Sequence, residues 1–423
     1  MKEDFLHFLW QYKLFNQANL QSVKNESIEI INSGGYNTNS GPDFLNATLK
    51  IDRQLWVGNI EIHIKSSDWY VHHHEKDVNY DAVILHVVWE HDTDVFMKNN
   101  HPLTTLELQK IAPKDVLQNY EKLFSKEQRW IPCEKQIPEV SSFLLNNWLE
   151  RLYFERLEHK SIAIRELLQK FHNDYEAVLF QLLAKNFGLK VNGTAFLQLA
   201  QSFDFSVLRK VRFKEEQLSA LLFGQAGFLE DEIEDSYYEK LQKEYTYLKH
   251  KYKLKPLPKH HFQFFRMRPS NFPTIRIAQL VSLYYKYQKL FSVLMKADSV
   301  IEIYGLFTIE VNDFWKVHYT FQTTSKKSPK KLTKGFVDLL IINTIIPLKF
   351  AYQQARGEVE EDSLLNLIQE LQPEKNSIIS KFSELKIKGK NAFETQALLE
   401  LKNNYCSKKR CLQCAIGNSL LRK

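Results

Sequence analysis

Seven of the chain's 14 histidines fall between His63 and His101, and two carboxylates, Asp43 and Glu61, stand just ahead of or at the edge of this stretch. Asp43 follows the turn-forming run Asn39-Ser40-Gly41-Pro42, where a turn meets a strand. Glu61 lies in the alternating run Ile60-Glu61-Ile62-His63-Ile64-Lys65. On a strand the isoleucines share one side while Glu61, His63 and Lys65 share the other, so the expectation is one core face and one polar row. Two carboxylates from neighbouring strands, with a basic group close by, bind a divalent ion and orient water for attack on a phosphodiester. Mg²⁺ or Mn²⁺ is therefore expected at Asp43 and Glu61, with His63 or Lys65 as the basic partner and DNA or RNA as substrate.

A second constellation overlaps the first. His72-x-His74-x-x-Asp77 has a spacing suited to zinc or another mononuclear metal, if the two imidazoles lie on one side of an extended segment. His86 sits inside the apolar run Leu85-His86-Val87 and is expected on a buried strand. The plainer reading of the same residues is a polar loop and a core histidine with ordinary hydrogen bonds. The four cysteines form a third set: Cys406, Cys411 and Cys414 in a CxxxxCxxC run, and Cys133 far upstream. Three thiolates within reach of one ion, closed by a distant fourth, suit zinc or an iron–sulfur cluster, with zinc the simpler choice. The flanking Lys408, Lys409 and Arg410 are expected to favour the thiolate form.

The elements that must position these residues change character along the chain. Up to about residue 113, short β-like runs alternate with Gly, Asn and Asp turns: Ser27 to Ile31, Phe44 to Ile51, Leu55 to Lys65 and Val83 to Trp89. After Ile137-Pro138 the spacing becomes helical, with expected helices at Phe143 to Leu168, Tyr175 to Asn186, Gln217 to Phe223, Ile233 to Tyr252, Ile275 to Tyr304, Lys334 to Tyr352, Leu364 to Leu371 and Ala392 to Asn403. Thr333 is expected to cap the Lys334 helix. The fold class is α+β: an α/β sheet domain over residues 1–125, then a larger, mainly helical domain over 126–423 that ends in the cysteine run.

With 423 residues and 44% hydrophobic side chains, the chain can build sizeable cores, which argues against disorder. Its net charge of +7 is compatible with nucleic acid without demanding it. Arg266, Arg268 and Arg276, interleaved with Phe262, Phe264, Phe265 and Phe272, are a further phosphate-contacting surface to test. The start carries no basic-then-apolar signal and no run resembles a membrane span, so a cytoplasmic protein is expected. The sequence has no Walker loop, no GxGxxG after a strand and no GxSxG elbow, so ATPase, dinucleotide and serine-hydrolase readings lack support.

Pro42-Asp43 followed by Glu61-Ile62-His63 resembles the motif of the PD-(D/E)XK nuclease superfamily, the restriction-endonuclease-like fold. The resemblance implies a nuclease-like sheet, Asp43 and Glu61 as metal ligands, and Glu3, Asp4 or His7 of the preceding helix as an accessory ligand. It departs from the motif at His63, where the family has lysine, with Lys65 one step further on the same face. Over nearly the whole length, from Phe5 to Leu421, the chain also resembles an uncharacterised bacterial family known only as a domain of unknown function. That likeness rests on segments such as Gly58-Asn59-Ile60-Glu61-Ile62-His63, Phe223-Gly224-Gln225-Ala226-Gly227-Phe228-Leu229 and Arg410-Cys411-Leu412-x-Cys414. Three readings follow: a metal-dependent phosphodiesterase, a non-catalytic nucleic-acid or protein-binding module, and a zinc-dependent hydrolase centred on His72, His74 and Asp77.

Overall fold

A computed structural model describes residues 1–125 and 129–422. The chain divides into two compact units, one of Met1–Trp148 with Leu401–Lys423, the other of Leu149–Glu400. A division at residues 125 and 126 places the cysteine run with the helices. Instead, the C-terminal segment groups with the sheet, because Cys411–Gln413 and the helix Ala415–Leu421 pack on elements of the first unit. Residue 126 itself lies outside the described residues.

The first unit opens with helix α1 (Glu3–Gln11), whose face of Phe5, Leu6, Phe8, Leu9 and Trp10 is buried. There follow β1 (Ile28–Asn32), β2 (Gly35–Tyr36), β3 (Phe44–Ile51), β4 (Gln54–Lys65), the short helix α2 (Asp68–Val71), β5 (Val83–Glu90), β6 (Thr105–Glu107) and α3 (Lys114–Leu123). The strands form one sheet in the order β1-β3-β4-β5-β6, with β2 paired to β3. β3 and β4 run antiparallel with Phe44 opposite Ile60, while β4 and β5 run parallel with Glu61 beside His86. A parallel step needs a crossover, and residues 66–82 supply it through α2 and two 3₁₀ turns. That crossover covers the face of β4 expected to meet water: Ile60 to His63 are all buried in succession.

The second unit is helical. Tyr175–Phe187 packs on Leu189–Gln201, and Glu215–Gln225 packs on Ser236–Tyr252 and Pro273–Lys286. The expected helix from Ile275 to Tyr304 is three helices, Pro273–Lys286, Leu290–Lys296 and Val300–Leu306, because Lys289 and Ala297 leave helical geometry. Thr333 caps its helix, accepting the Phe336 amide. The segment Lys334–Arg356 is long and apolar enough by composition to cross a membrane, and 72% of its most apolar window is buried within the protein.

Candidate metal centre

Asn37 builds the turn that delivers Asp43. Its side-chain amide donates to the carbonyls of Ser40 and Pro42, and Gly41 takes φ +97°, a left-handed geometry that costs glycine little. Asp43 then locks onto β4: its Oδ2 accepts the Ile62 amide at 2.9 Å, and its own amide donates to Glu61 Oε2 at 3.2 Å. From α1, His7 Nε2 faces Asp43 Oδ2 at 3.3 Å. Of the residues the helix was expected to offer, His7 is thus adjacent to the site, Glu3 is half-buried near Asp43, and Asp4 is exposed.

With Oε2 engaged, Glu61 turns Oε1 toward the imidazoles, 3.3 Å from His74 Nε2 and 3.6 Å from His63 Nε2. His63 is the hub. Its Nδ1 lies 2.8 Å from His86 Nε2 and its Nε2 lies 3.1 Å from His72 Nδ1. One nitrogen each from His63, His72 and His74 lies within 4.8 Å of the others, a grouping able to hold a metal ion. Trp69 of α2 packs edge-on against His74 and is tilted against His86, while Tyr80 stacks on His74 at 3.7 Å.

The segment that carries His72 and His74 is not extended. α2 ends at Val71, His73 adopts φ +61° and ψ +29°, and His74 starts a 3₁₀ turn. A left-handed residue without glycine is a strained choice that needs surrounding support, and here it lets both flanking imidazoles turn toward His63. Asp77 does not join them. Its carboxylate caps the next turn, accepting the Asn79 amide at 2.9 Å. Lys65 also stands apart, half-exposed with its Nζ 4.0 Å from Glu90.

Burial dominates the electrostatics. It pushes Glu61 up to about 9, with the Asp43 charge adding to the effect. Burial and the neighbouring imidazoles push His63 down to about 2 and His86 down to about 3, so both rings are neutral at ordinary pH. His7 moves the other way: burial disfavours its charge, but the Asp43 carboxylate more than offsets this. At neutral pH burial keeps the proton on Glu61, and a divalent ion taken up by Glu61 Oε1 and the nitrogens of His63, His72 and His74 would displace that proton, so the donor set fits such an ion.

This has a testable consequence for the metal-free protein. The folded pKa of Glu61 lies above its ordinary 4.5, so its ionisation costs stability progressively as pH rises from about 4.5 toward about 9. Gln mimics the protonated acid. In EDTA, Glu61→Gln is expected to gain stability over the wild type as pH rises through that window, reaching at least ~1 kcal/mol by its upper end. Melting curves at several pH values check this, and a pH-independent difference would overturn the assignment.

The four cysteines are all unbridged and gather around one cavity in the first unit, with Pro132, Ile137, Leu401, Ile416 and Gly417 among its walls. Gly417 is required there, because a Cβ would meet the Cys411 carbonyl oxygen at 2.1 Å. The flanking cations do not set the thiol chemistry as expected. Burial pushes Cys133 and Cys411 up to about 12, with the other sulfurs adding to it, and only Lys409 acts against this at Cys411.

Those cations do face a different feature. Lys408, Lys409 and Arg410, with Lys2, line a cleft of about 670 Å³ that also includes Asp4, His7, Tyr36 and Tyr120. His7 links this cleft to Asp43, so a basic wall leads to the carboxylates.

In the second unit Arg276 is buried, donates to Gln279 and Asn271, and stacks 3.6 Å from the Phe336 ring centroid. That corrects its expected role: an interior guanidinium whose Nη1 and Nη2 are engaged by Gln279 and Asn271 has no access to a phosphate. Arg266 and Arg268 are exposed, and Arg266 lies over Phe265. Glu155, His159 and Glu400 form another group of metal-ligand type, but Arg156 pairs with Glu400 at 3.2 Å and already supplies the positive charge.

A family model described as Protein of unknown function (DUF2851) matches residues 3–377. No curated protein matches the chain, and no solved structure does.

Proposed function

Because the chain belongs to this family of unknown function, the chemistry of the site carries the functional argument, and we propose that the protein is a metal-dependent phosphodiesterase acting on nucleic acid. The observation that carries the reading is the convergence of Glu61 with His63, His72 and His74, with Asp43 tied to Glu61 through its backbone amide. The pair of carboxylates on adjoining strands is the part of the site that resembles the PD-(D/E)XK superfamily. The imidazoles widen the suitable ions from Mg²⁺ toward Mn²⁺, Zn²⁺ and other nitrogen-accepting metals. Bound there, such an ion supplies Lewis acidity and an activated water.

The protein's own groups have distinct roles in this reading. Glu61 Oε1 and the ring nitrogens hold the ion, and the Ile62 amide and His7 orient Asp43. His86, wholly buried, pairs with His63 Nδ1; with the His63 proton on Nδ1, Nε2 is the nitrogen left to ligate, a common outer-layer arrangement for a metal-bound histidine. Lys65 is directed to Glu90 and takes no part.

The basic cleft supports nucleic acid as the substrate. Lys408→Ala together with Lys409→Ala is expected to weaken substrate binding uniformly across sequences and to reduce the slope of log affinity against log salt by roughly 1 to 2. kcat should stay close to wild type. Titration of labelled DNA and RNA at several salt concentrations checks this, and an unchanged salt slope would remove the cleft from the argument. The alternative, a non-catalytic binding module, predicts that affinity falls in the same way while no substrate is ever cleaved.

A further inference from the structure

A zinc ion draws each thiolate to about 2.3 Å, which sets four sulfurs about 4 Å apart around it and leaves no room between them for a sphere the size of water. The cysteines of this protein stand differently. Cys133, Cys406, Cys411 and Cys414 all border a cavity of about 10 Å³, about one water-sized sphere. Among the described residues, no three of the four sulfurs have come within 4.8 Å of one another as a single-ion grouping. Yet each sulfur lies within electrostatic reach of the other three. The four cysteines meet at one small cavity with their sulfurs further apart than the ~4 Å at which one zinc would hold them.

We propose that the four cysteines hold a [4Fe–4S] cluster. In such a cluster each thiolate binds a different iron at a different corner of a cube, so the sulfurs face a common centre while remaining well separated. The surroundings suit it. Pro132, Ile137, Leu401 and Ile416 make the walls apolar and dry. The Ile416 and Gly417 backbone amides stand beside Cys414 and favour its thiolate, and N–H groups near a ligand sulfur tune cluster potential. Arg410 lines the cavity and Lys402 acts on Cys406, offsetting part of the negative charge that a cluster with four thiolates carries. Cys406 itself ends a π-helical stretch, Leu401–Cys406, a geometry found often at functional sites.

The test is the metal and sulfide content of the full-length protein, expressed with ample iron and purified without oxygen. About four iron and four acid-labile sulfide per chain are expected, with a broad visible absorption that bleaches on reduction. Cys133→Ser and Cys411→Ser should lower both contents together, with circular dichroism reporting whether each variant folds. The wild-type stoichiometry needs no variant and decides the matter even if these two unfold. His72→Ala should leave iron and sulfide unchanged, which separates the cluster from any ion at the histidines. One zinc and no sulfide would overturn the proposal. So would two iron with two sulfide, or wild-type protein that stays colourless after anaerobic incubation with ferric iron, a thiol reductant and sulfide. The outcome is independent of the phosphodiesterase reading, since a cluster in a protein that cleaves nothing still upholds it.

Discussion

Full-length protein carrying Asp43→Ala and Glu61→Ala is expected to lose metal-dependent cleavage of labelled DNA or RNA by on the order of a thousandfold or more, with its circular dichroism retained. The size follows from what the ion supplies. Charge stabilisation by a bound metal contributes several kcal/mol to the transition state, and about 4 kcal/mol corresponds to roughly a thousandfold in rate. Folding should survive because Glu61 is a cost to the metal-free protein, its carboxyl being buried beside a second one. Asp43 offsets part of this, since its side chain holds the Ile62 amide and its backbone amide remains available. The comparison needs single- and double-stranded substrates with Mg²⁺, Mn²⁺ and Zn²⁺ in turn. Equal cleavage by wild type and double variant would sink the assignment of these carboxylates. No cleavage by folded, metal-loaded wild type would favour the binding module.

The strands that build this site were readable from the chain because local signals dominate them. Phe44 to Ile51, Leu55 to Lys65 and Val83 to Trp89 alternate or run apolar between turn residues, and the observed β3, β4 and β5 differ from these by about a residue at their ends. β6, with three residues, is too short to carry a period. The burial of the polar row on β4 has a tertiary cause: periodicity reports which residues share a face, and says nothing of the crossover that buries Glu61 and His63. The burial of Arg276 has the same kind of cause, since its stacking partner Phe336 lies 60 positions away. The meeting of the four cysteines at one cavity exists only in three dimensions. What was legible was composition: carboxylates, imidazoles and thiols each crowded into short stretches, and the first and last gathered with a distant partner, Asp43 and Cys133.

The two ways of choosing a third ligand for His72 and His74 make opposed predictions. Spacing along the chain nominates Asp77; the fold nominates His63. His63→Ala removes the ring that touches Glu61, His72 and His86, and it should strip the ion from the histidine site and abolish cleavage to the same extent as the double carboxylate variant. His86→Phe keeps the volume roughly but leaves His63 without its acceptor, and metal affinity should fall about 10- to 100-fold, the usual cost of losing such a support. Asp77→Ala removes only a turn cap, worth ~1 kcal/mol of stability, and should leave metal affinity and cleavage near wild type. Zinc or manganese titration of each variant, with the cysteine site monitored separately by its sulfide content, gives the ranking. If Asp77→Ala loses the ion while His63→Ala keeps it, the metal follows the chain spacing and the three-histidine centre is wrong. If His63→Ala alone loses it, the left-handed turn at His73 is what assembles the site. Relieving that turn with His73→Gly should then be tolerated, because glycine adopts positive φ without strain.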